Sequence, residues 1–250
     1  YEWINGRNIN KPSIDDLEQA IDFARQLHLL SQKIDDNHID IASEACLSAN
    51  VLVDQIENRL LSLKNESKHF QELATFLEYT FEPLWIDVKD ESISIWPLES
   101  RDKALSIGKQ TLSPSDFGFH NCVKGNDGSL IFLDFDYFGR DDPVKLAADF
   151  IWHPAMNLSA ELKEKWQKAM MVLFSHDNQY GSRLNAAMPL YGLRWAMIVL
   201  NEFLPGYVNR RKEAGKTQTY NIDKSREIQL KKAKHYCEIV KTMTPQVTYA

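Results

Sequence analysis

The chain of 250 residues is long enough to bury a substantial core, and its 44% hydrophobic and 26% charged residues are ordinary for a folded globular protein. The net charge of -6 argues against a general nucleic-acid binder, which presents a basic surface. The longest apolar run in the C-terminal half, WAMIVL at 195–200, is far shorter than the roughly 20 residues that span a bilayer, so no membrane span is predicted.

The cysteines Cys46, Cys122 and Cys237 are scattered along the chain and form no CxxC pair. An odd, unspaced set indicates reduced thiols that are buried rather than reactive, and it favours neither a disulfide framework nor a metal knuckle. Reduced thiols are typical of a cytosolic protein, so we expect a cytoplasmic location.

The first third of the chain carries mainly helical signals. Residues 1–9 (YEWINGRNI) indicate a short strand followed by a glycine-containing turn. Apolar residues then recur at i, i+3 and i+4 across 13–32, and Ser13 with Asp16 forms an S-x-x-D capping signature. Further helices are predicted over 49–64 and about 67–80.

Strand signals follow in the middle of the chain. Residues 92–98 (SISIWPL) alternate between polar and apolar types and then meet a proline, which predicts a short strand. Two apolar runs flank GNDG at 125–128, and because Asp-Gly is a strong turn signal, residues 121–139 predict a β-hairpin. The whole pattern indicates an α+β, mainly α, fold with a small hairpin at its middle. The later helices are predicted near 145–152, 159–175, 182–204 and 225–242.

Acidic and amide side chains bracket this hairpin. Asp116 and Asn121 precede it, while Asp134 and Asp136 end its second strand, where alternation places both acids on one face. Because a hairpin returns the chain to its start, we expect Asp134 to approach Asn121. Such an all-oxygen set suits Mg²⁺ shared with nucleotide phosphates, and Asp116 is placed to accept a proton from an attacking hydroxyl. Asp136 is either a further ligand or a solvated acid.

The order of these groups resembles a known family. The resemblance is to the aminoglycoside phosphotransferase and choline kinase-like family of small-molecule kinases. It implies that Asp116 is the catalytic aspartate, that Asn121 and Asp134 bind the metal, and that Asp149 is the buried acid that braces the catalytic loop. The segments that carry it are, in order, SDFGFHN, IFLDFDYFG and RDDPVKLAADF.

The resemblance implies a protein-kinase-like fold, of which this chain holds mainly the helical C-lobe. Residues 1–12 are similar to the family's hinge and the end of its N-lobe. Residues 13–250 then form the C-lobe, in which 113–150 hold the catalytic loop, the hairpin and the segment after it. The hinge residues expected to border the adenine of ATP are Glu2, Trp3 and Ile4.

Two departures from the family's pattern concern the phosphates. Pro114 stands where the family usually has a histidine. Only Gly6 and Gly108 precede Asp116, so neither a glycine-rich phosphate loop nor a strand-borne lysine is found. We therefore expect the N-lobe to be largely absent from this chain, either because it precedes Tyr1 in a longer protein or because the protein never had one.

The resemblance implies a phosphotransferase that uses ATP and Mg²⁺ and acts on a hydroxyl of a small molecule. The acceptor classes are sugars, polysaccharide precursors, amino-alcohols and aminoglycosides. The alternative is a kinase-like pseudoenzyme or interaction module without transfer activity, which Pro114 and the missing phosphate loop favour. A Mg²⁺-dependent hydrolase would need a water-activating residue that the sequence does not reveal.

Other polar residues have plainer interpretations. His120 is expected to pack the loop rather than to touch a phosphate, and His28 and His153 are expected to be structural. The basic stretch at 206–216 is more typical of a solvated loop than of a site for an anionic substrate.

Overall fold

The computed structural model describes residues 5–34, 39–208 and 221–243. The chain divides into two compact units, the first made of residues 1–49 and 97–185, the second of residues 50–96 and 186–250. Helices dominate the described residues and the strands are short, so the mainly helical α+β class is confirmed.

The first unit begins with the capped helix that the sequence predicts. Helix α1 (Ile14–Ser31) starts at Ser13, whose hydroxyl accepts a hydrogen bond from the Asp16 amide at 3.2 Å. The Asp16 carboxylate accepts the Ser13 amide in return at 2.9 Å, so two of the unpaired donors at the helix start are satisfied. The helix buries one apolar face, formed by Leu17, Ala20, Ile21, Ala24 and Leu27.

Two small antiparallel sheets hold the middle of this unit. One has the order β1-β3-β4, and the other pairs β2 with β5. In the first sheet Cys122 lies opposite Phe132 and Lys124 opposite Leu130, with the turn between them at 126–128. The strands are β1 (Gly6–Arg7), β2 (Thr111–Ser113), β3 (Cys122–Gly125), β4 (Leu130–Phe132) and β5 (Gly139–Asp141).

Gly6 lies in a strand, so the expected turn at this glycine is wrong. It pairs with Gly125 in the β1–β3 ladder. A Cβ atom on Gly6 would meet the Lys124 carbonyl oxygen at 2.6 Å, so this close approach of two backbones requires glycine.

Three helices follow the sheets, namely α5 (Pro143–Trp152), α6 (Ala160–Leu173) and α7 (Tyr180–Ile198). Every residue of α5 is buried. Trp166 of α6 stacks on Phe150 of α5 at 3.8 Å between ring centroids, and its indole N–H donates to the Ala147 carbonyl at 3.0 Å. Because α5 is buried on all sides, other elements cover every face of it, and it lies at the centre of this unit.

The second unit is helical among the described residues. Its elements are α2 (Ala49–Ser67), α3 (Gln71–Phe76), a π-helical turn (Leu77–Phe81), α4 (Glu82–Ile95), a 3₁₀ helix (Val199–Phe203) and α8 (Ile222–Met243), with the second half of α7. Arg226 of α8 lies 4.5 Å from the ring centre of Phe70, and its Nε donates to the Glu202 carbonyl at 3.1 Å.

The structure confirms the helices predicted near 49–64, 159–175, 182–204 and 225–242, with small shifts of their ends.

The strand expected at 92–98 is wrong, because α4 continues to Ile95. Val88 and Ser92 are buried one helical turn apart, so the alternating letters mark a helix face and not a strand face. The amide of Trp96 still bonds to the Ser92 carbonyl at 3.0 Å, and the helix stops there because Pro97 disfavours helical backbone at the residue before it.

No helix among the described residues combines the length and the apolar character that crossing a bilayer requires. The three cysteines are buried and unpaired with one another, as expected.

A buried arginine joins the starts of α5 and α7. The guanidinium of Arg183 contacts both carboxylate oxygens of Asp142, at 3.1 and 3.0 Å, and also bonds to Asp177. The Arg183 side chain is 0% exposed, and Asp142 is the N-cap of α5. Removing one partner of a buried ion pair leaves an uncompensated charge, so this cluster fixes how the two helix ends meet.

We expect Arg183→Met to lower the free energy of unfolding by about 3 to 5 kcal/mol, because Asp142 would be left buried without its guanidinium partner and Asp177 would keep only Lys109, at 3.3 Å, as a cation among the described residues. Urea denaturation followed by circular dichroism measures the change. The matched control is Arg25→Met, which breaks an exposed ion pair with Asp22 and should cost no more than about 1 kcal/mol. Equal stabilities of the two variants would contradict the assignment.

Candidate active site

The segment 113–121 is an ordered loop between two strands. It leaves β2 at Ser113 and reaches β3 through a short 3₁₀ turn, Phe119–Asn121. Phe117 and Phe119 are buried, and each ring lies 5.4 Å from that of Phe150 in α5. These two anchors hold the loop on the core while Asp116 remains half-exposed.

Asp116 and Asn121 are in direct contact. The Asn121 side-chain amide donates to the Asp116 carbonyl at 3.0 Å and to its carboxylate Oδ2 at 3.2 Å. Because the amide nitrogen faces Asp116, the Asn121 Oδ1 remains as the atom able to bind a cation. The loop therefore places a carboxylate and a carboxamide oxygen side by side.

Asp134 and Asp136 do not end a strand, so the expected alternation that puts them on one face is wrong. Strand β4 ends at Phe132, and Asp134 has a positive φ of 61°, which breaks any strand periodicity. The Leu133 amide donates to the Asn121 carbonyl at 2.9 Å. The residue before Asp134 is thus held against Asn121, and both acids are exposed.

Two histidines also lie next to Asp116, although neither was predicted to contact it. His120 Nε2 lies 2.9 Å from the Asp116 Oδ1, and His153 Nε2 lies 3.9 Å from the same oxygen. The two rings stack at 3.7 Å between centroids with 10° between their planes. The four-residue spacing of His120 from Asp116, in a D-x-x-x-H motif, could have indicated their contact. His153 is brought to Asp116 only by the fold, because it lies at the end of α5.

The surroundings of Asp116 favour its charged form. Burial opposes ionisation, but the hydrogen bond and charge of His120, the charge of His153 and the Asn121 amide outweigh it, so the pKa of Asp116 lies below its ordinary value. Burial, aided by the charge of His120, lowers the pKa of His153 to about 4, against a smaller opposing effect of Asp116 and Asp149. At neutral pH Asp116 is therefore ionised and His153 is neutral.

The buried Lys145 contacts the loop at 113–121 and holds it in place. Lys145 Nζ lies 3.3 Å from carboxylate oxygens of both Asp141 and Asp149. It also donates to the hydroxyl of Ser115 at 3.1 Å and to its carbonyl at 3.4 Å. Ser115 has a positive φ of 66°, so this contact holds a strained backbone directly before Asp116. Asp149, expected to brace the loop, contacts Lys145, and Lys145 contacts the loop.

The carboxylate and the two imidazoles also have ligand atoms within 4.8 Å of one another, a spacing compatible with a metal ion. However, the lone pairs of imidazoles lie in the ring planes, and parallel stacked rings aim theirs side by side and not at one point. The Ala155 amide also donates to His153 Nδ1 at 3.2 Å, which leaves the proton of the neutral ring on Nε2. His120 is thus placed to donate to Asp116, while His153 Nε2 faces the same oxygen beyond hydrogen-bond distance.

Other expected site residues fall outside the described chain. Glu2, Trp3 and Ile4 lie before its first described residue, and most of the basic stretch at 206–216 lies in the gap after residue 208. His28 is buried against Phe174 and stacks on His176, in keeping with its structural interpretation.

The depressed pKa of His153 predicts a pH dependence of stability. Its pKa is about 4 in the folded protein, against about 6.5 unfolded. Between these values the unfolded chain binds more protons, so stability falls as pH falls, by up to about 1.4 kcal/mol per pH unit. His153→Phe should lose this slope in urea titrations between pH 6.5 and 4.5. His235→Phe, at an exposed position of α8, should keep it; equal slopes in all three proteins would contradict the burial of His153.

The chain is similar in structure to an ethanolamine kinase from Plasmodium vivax, with a TM-score of 0.51, 13% identity, and coverage of 97% of this chain and 65% of that kinase. An ADP-bound aminoglycoside phosphotransferase is also similar, with a TM-score of 0.49, 16% identity, and coverage of 96% and 71%. A choline kinase from Cryptosporidium parvum has a TM-score of 0.49, 11% identity, and coverage of 99% and 73%. No protein-family model matches the chain, and no curated protein matches it significantly.

The ethanolamine kinase belongs to the class of small-molecule kinases that the sequence motifs resemble. At 13% identity the likeness to the ethanolamine kinase bears on fold and not on substrate. The chain spans 65% of that kinase's length, so the similarity concerns a part of the larger protein. The expected likeness to the aminoglycoside phosphotransferase and choline kinase-like family is confirmed at the level of the fold alone: the fold of the chain is similar to that of the ethanolamine kinase.

Proposed function

We propose that the protein is an ATP-dependent phosphotransferase that moves the γ-phosphoryl group of ATP to a hydroxyl of a small molecule. Asp116 is the catalytic base, and Asn121 and Asp134 bind Mg²⁺. The observation that carries the proposal is the contact of Asp116 with Asn121, in a loop that leads directly into the hairpin. Both residues stand where the family's motif requires them.

The residues present fit a magnesium ion. Asn121 has one side-chain oxygen left after its amide bonds to Asp116. The Asp134 carboxylate is exposed and forms no hydrogen bond or ion pair with another described residue. Oxygen atoms from few protein groups, with phosphate and water supplying the others, are what Mg²⁺ prefers. When bound, the ion would offset the charge of the phosphates during transfer.

Asp116 supplies the proton chemistry. Its carboxylate is half-exposed, so an acceptor hydroxyl can reach it, and its lowered pKa keeps it ionised at neutral pH. The anchors beneath it, Phe117 and Phe119, limit its movement. A base held in place contributes mainly by orienting the hydroxyl, which is the principal source of catalysis in phosphoryl transfer.

The nucleotide site extends beyond the described residues. Glu2, Trp3 and Ile4 are the proposed hinge that borders the adenine, and an N-lobe over the phosphates is part of the same proposal. Residues 1–12 then form the hinge and the end of that lobe, and 13–250 form the C-lobe. The cysteines Cys46, Cys122 and Cys237 are buried and form no disulfide with one another, which supports a cytoplasmic location.

Asp116→Asn should reduce transfer by about 100- to 10,000-fold, because the carboxamide keeps the shape of the side chain but cannot accept the proton. The assay follows release of ADP with the acceptors ethanolamine, choline, kanamycin and a panel of hexoses, and mass spectrometry identifies the phosphorylated product. Near-normal turnover in Asp116→Asn would refute the assignment of the base.

A second test separates the two acids after the hairpin. Asp134→Asn should weaken binding of ATP in the presence of Mg²⁺ by tenfold or more in calorimetry, while ATP with EDTA binds the variant and the wild type equally. Asp136→Asn is the matched control, because it removes an equally exposed acid from the same segment. Equal losses in both variants would show a general effect of charge and not a metal ligand.

The rival function is a kinase-like module without transfer activity, favoured by Pro114 and by the lack of a phosphate loop before Asp116. Such a module would bind no ATP with or without Mg²⁺, and Asp116→Asn would change no measured property except stability. The calorimetry above therefore also decides between the two functions.

A further inference from the structure

The carboxylate of Asp116 is contacted differently at its two oxygens. Oδ1 accepts a short hydrogen bond from His120 Nε2 at 2.9 Å, and His153 Nε2 approaches the same atom at 3.9 Å. Oδ2 has the Asn121 amide at the longer distance of 3.2 Å. The imidazoles thus lie at one oxygen, and the other oxygen has only the longer contact with the Asn121 amide among the described residues.

The orientation of the His120 ring follows from hydrogen bonding. A neutral imidazole has one donor and one acceptor nitrogen, and a nitrogen that faces an ionised carboxylate must be the donor. His120 therefore carries its proton on Nε2. Its Nδ1 is buried and has no hydrogen-bond partner among the described residues, so the ring gains nothing by turning over.

The His120 ring is closely packed by Gly118 and His153. A Cβ atom on Gly118 would lie 2.8 Å from His120 Nδ1 and 2.5 Å from the Met156 sulfur, so only glycine leaves room for the ring here. One face of the ring is covered by His153, stacked at 3.7 Å. Both histidine side chains are only 15% exposed.

His153 is itself fixed at the end of α5. Its amide bonds to the Asp149 carbonyl at 2.9 Å, and its Nδ1 accepts the Ala155 amide at 3.2 Å. The distance of 3.9 Å from its Nε2 to Asp116 exceeds a hydrogen bond, so its principal contact in the site is the stack. The chain of contacts runs from α5 through His153 and His120 to Asp116 Oδ1.

We propose that His120 and His153 are positioning residues, which fix Asp116 through Oδ1 and present Oδ2 as the oxygen that takes the acceptor's proton. This inference rests on the proposed phosphotransferase function. In that reaction the acceptor oxygen forms a bond to the γ-phosphorus, the bond from this phosphorus to the β–γ bridging oxygen breaks, and the hydroxyl proton passes to Oδ2. ADP leaves with the electrons of the broken bond.

Kinetics of two substitutions at His120 test its proposed positioning of Asp116, called the histidine clamp below. His120→Leu removes the donor and should lower kcat tenfold or more while the KM for Mg²⁺–ATP changes less than threefold. His120→Gln offers an amide N–H near the position of Nε2 and should recover most of the loss. His235→Leu, on the exposed face of α8, is the control and should match the wild type. Equal kcat values for His120→Leu and the wild type would overturn the proposal, as would failure of His120→Gln to recover more than His120→Leu.

Substitutions at His153 separate stacking from charge. His153→Ala removes the ring and should lower kcat more than tenfold. His153→Phe keeps an aromatic face against His120 and should lower it less than tenfold. If both variants lose activity equally, the stack has no positioning role and that half of the proposal is wrong.

A spectroscopic measurement tests the histidine clamp independently of enzymatic activity. In long-range ¹H–¹⁵N spectra of the full chain labelled at histidine, Nε2 of both His120 and His153 should carry a proton at pH 7. Asp116→Asn should shift the His120 Nε2–H signal and leave His235 unchanged. An Nδ1–H form of His120 would overturn the clamp. Should the spectra agree while no acceptor or ATP is turned over by the wild type, the phosphotransferase function fails and the geometry stands.

Discussion

The loop at 113–121 depends on the burial of one charge, the ammonium group of Lys145. A buried ammonium is stable only when acceptors surround it, and the Lys145 side chain, 2% exposed, has the carboxylates of Asp141 and Asp149 and the oxygens of Ser115. Burial raises the pKa of Asp141, and the charge of Lys145 opposes that effect. The need to satisfy this charge ties the strained residue before Asp116 to α5.

Helix α5 links the remaining parts of the site to the same core. Its N-cap, Asp142, is held by Arg183, and its central ring, Phe150, supports both aromatic anchors of the loop. His153 at its end stacks on the ring that bonds to Asp116. Three separate contacts with Asp116 and its neighbours therefore originate from one helix that has no exposed face. The position of a side chain such as Asp116 is held more precisely by such an element than by a free loop.

Local signals predicted most of the helices well. The capping box at Ser13 and the apolar periodicity of α1 depend on neighbours in the chain, and both were readable. The contact of Asp116 with Asn121 is local too, so their motif was informative. The strand expected at 92–98 failed because alternation over four letters fits both a strand and the polar and apolar sides of a helix, and only the packing of α4 decides between them.

Asp134 illustrates a second limit of prediction from sequence. The sequence correctly indicates an acid after an apolar run, but where β4 ends depends on its partner β3, and the left-handed backbone at Asp134 follows from that end. His153 is a third case, since no local pattern links it to Asp116.

The sequence by itself determined the class of the fold, the helices with strong caps and periodicity, and the pairing of Asp116 with Asn121, because these depend on residues close together in the chain. Only the tertiary structure decided that Lys145 braces the loop and that two histidines contact Asp116. The contacts of Lys145 and His153 with the loop join residues far apart in sequence, whereas His120 lies only four residues from Asp116. The distant contacts form because buried charges and rings need partners wherever the packed core provides them.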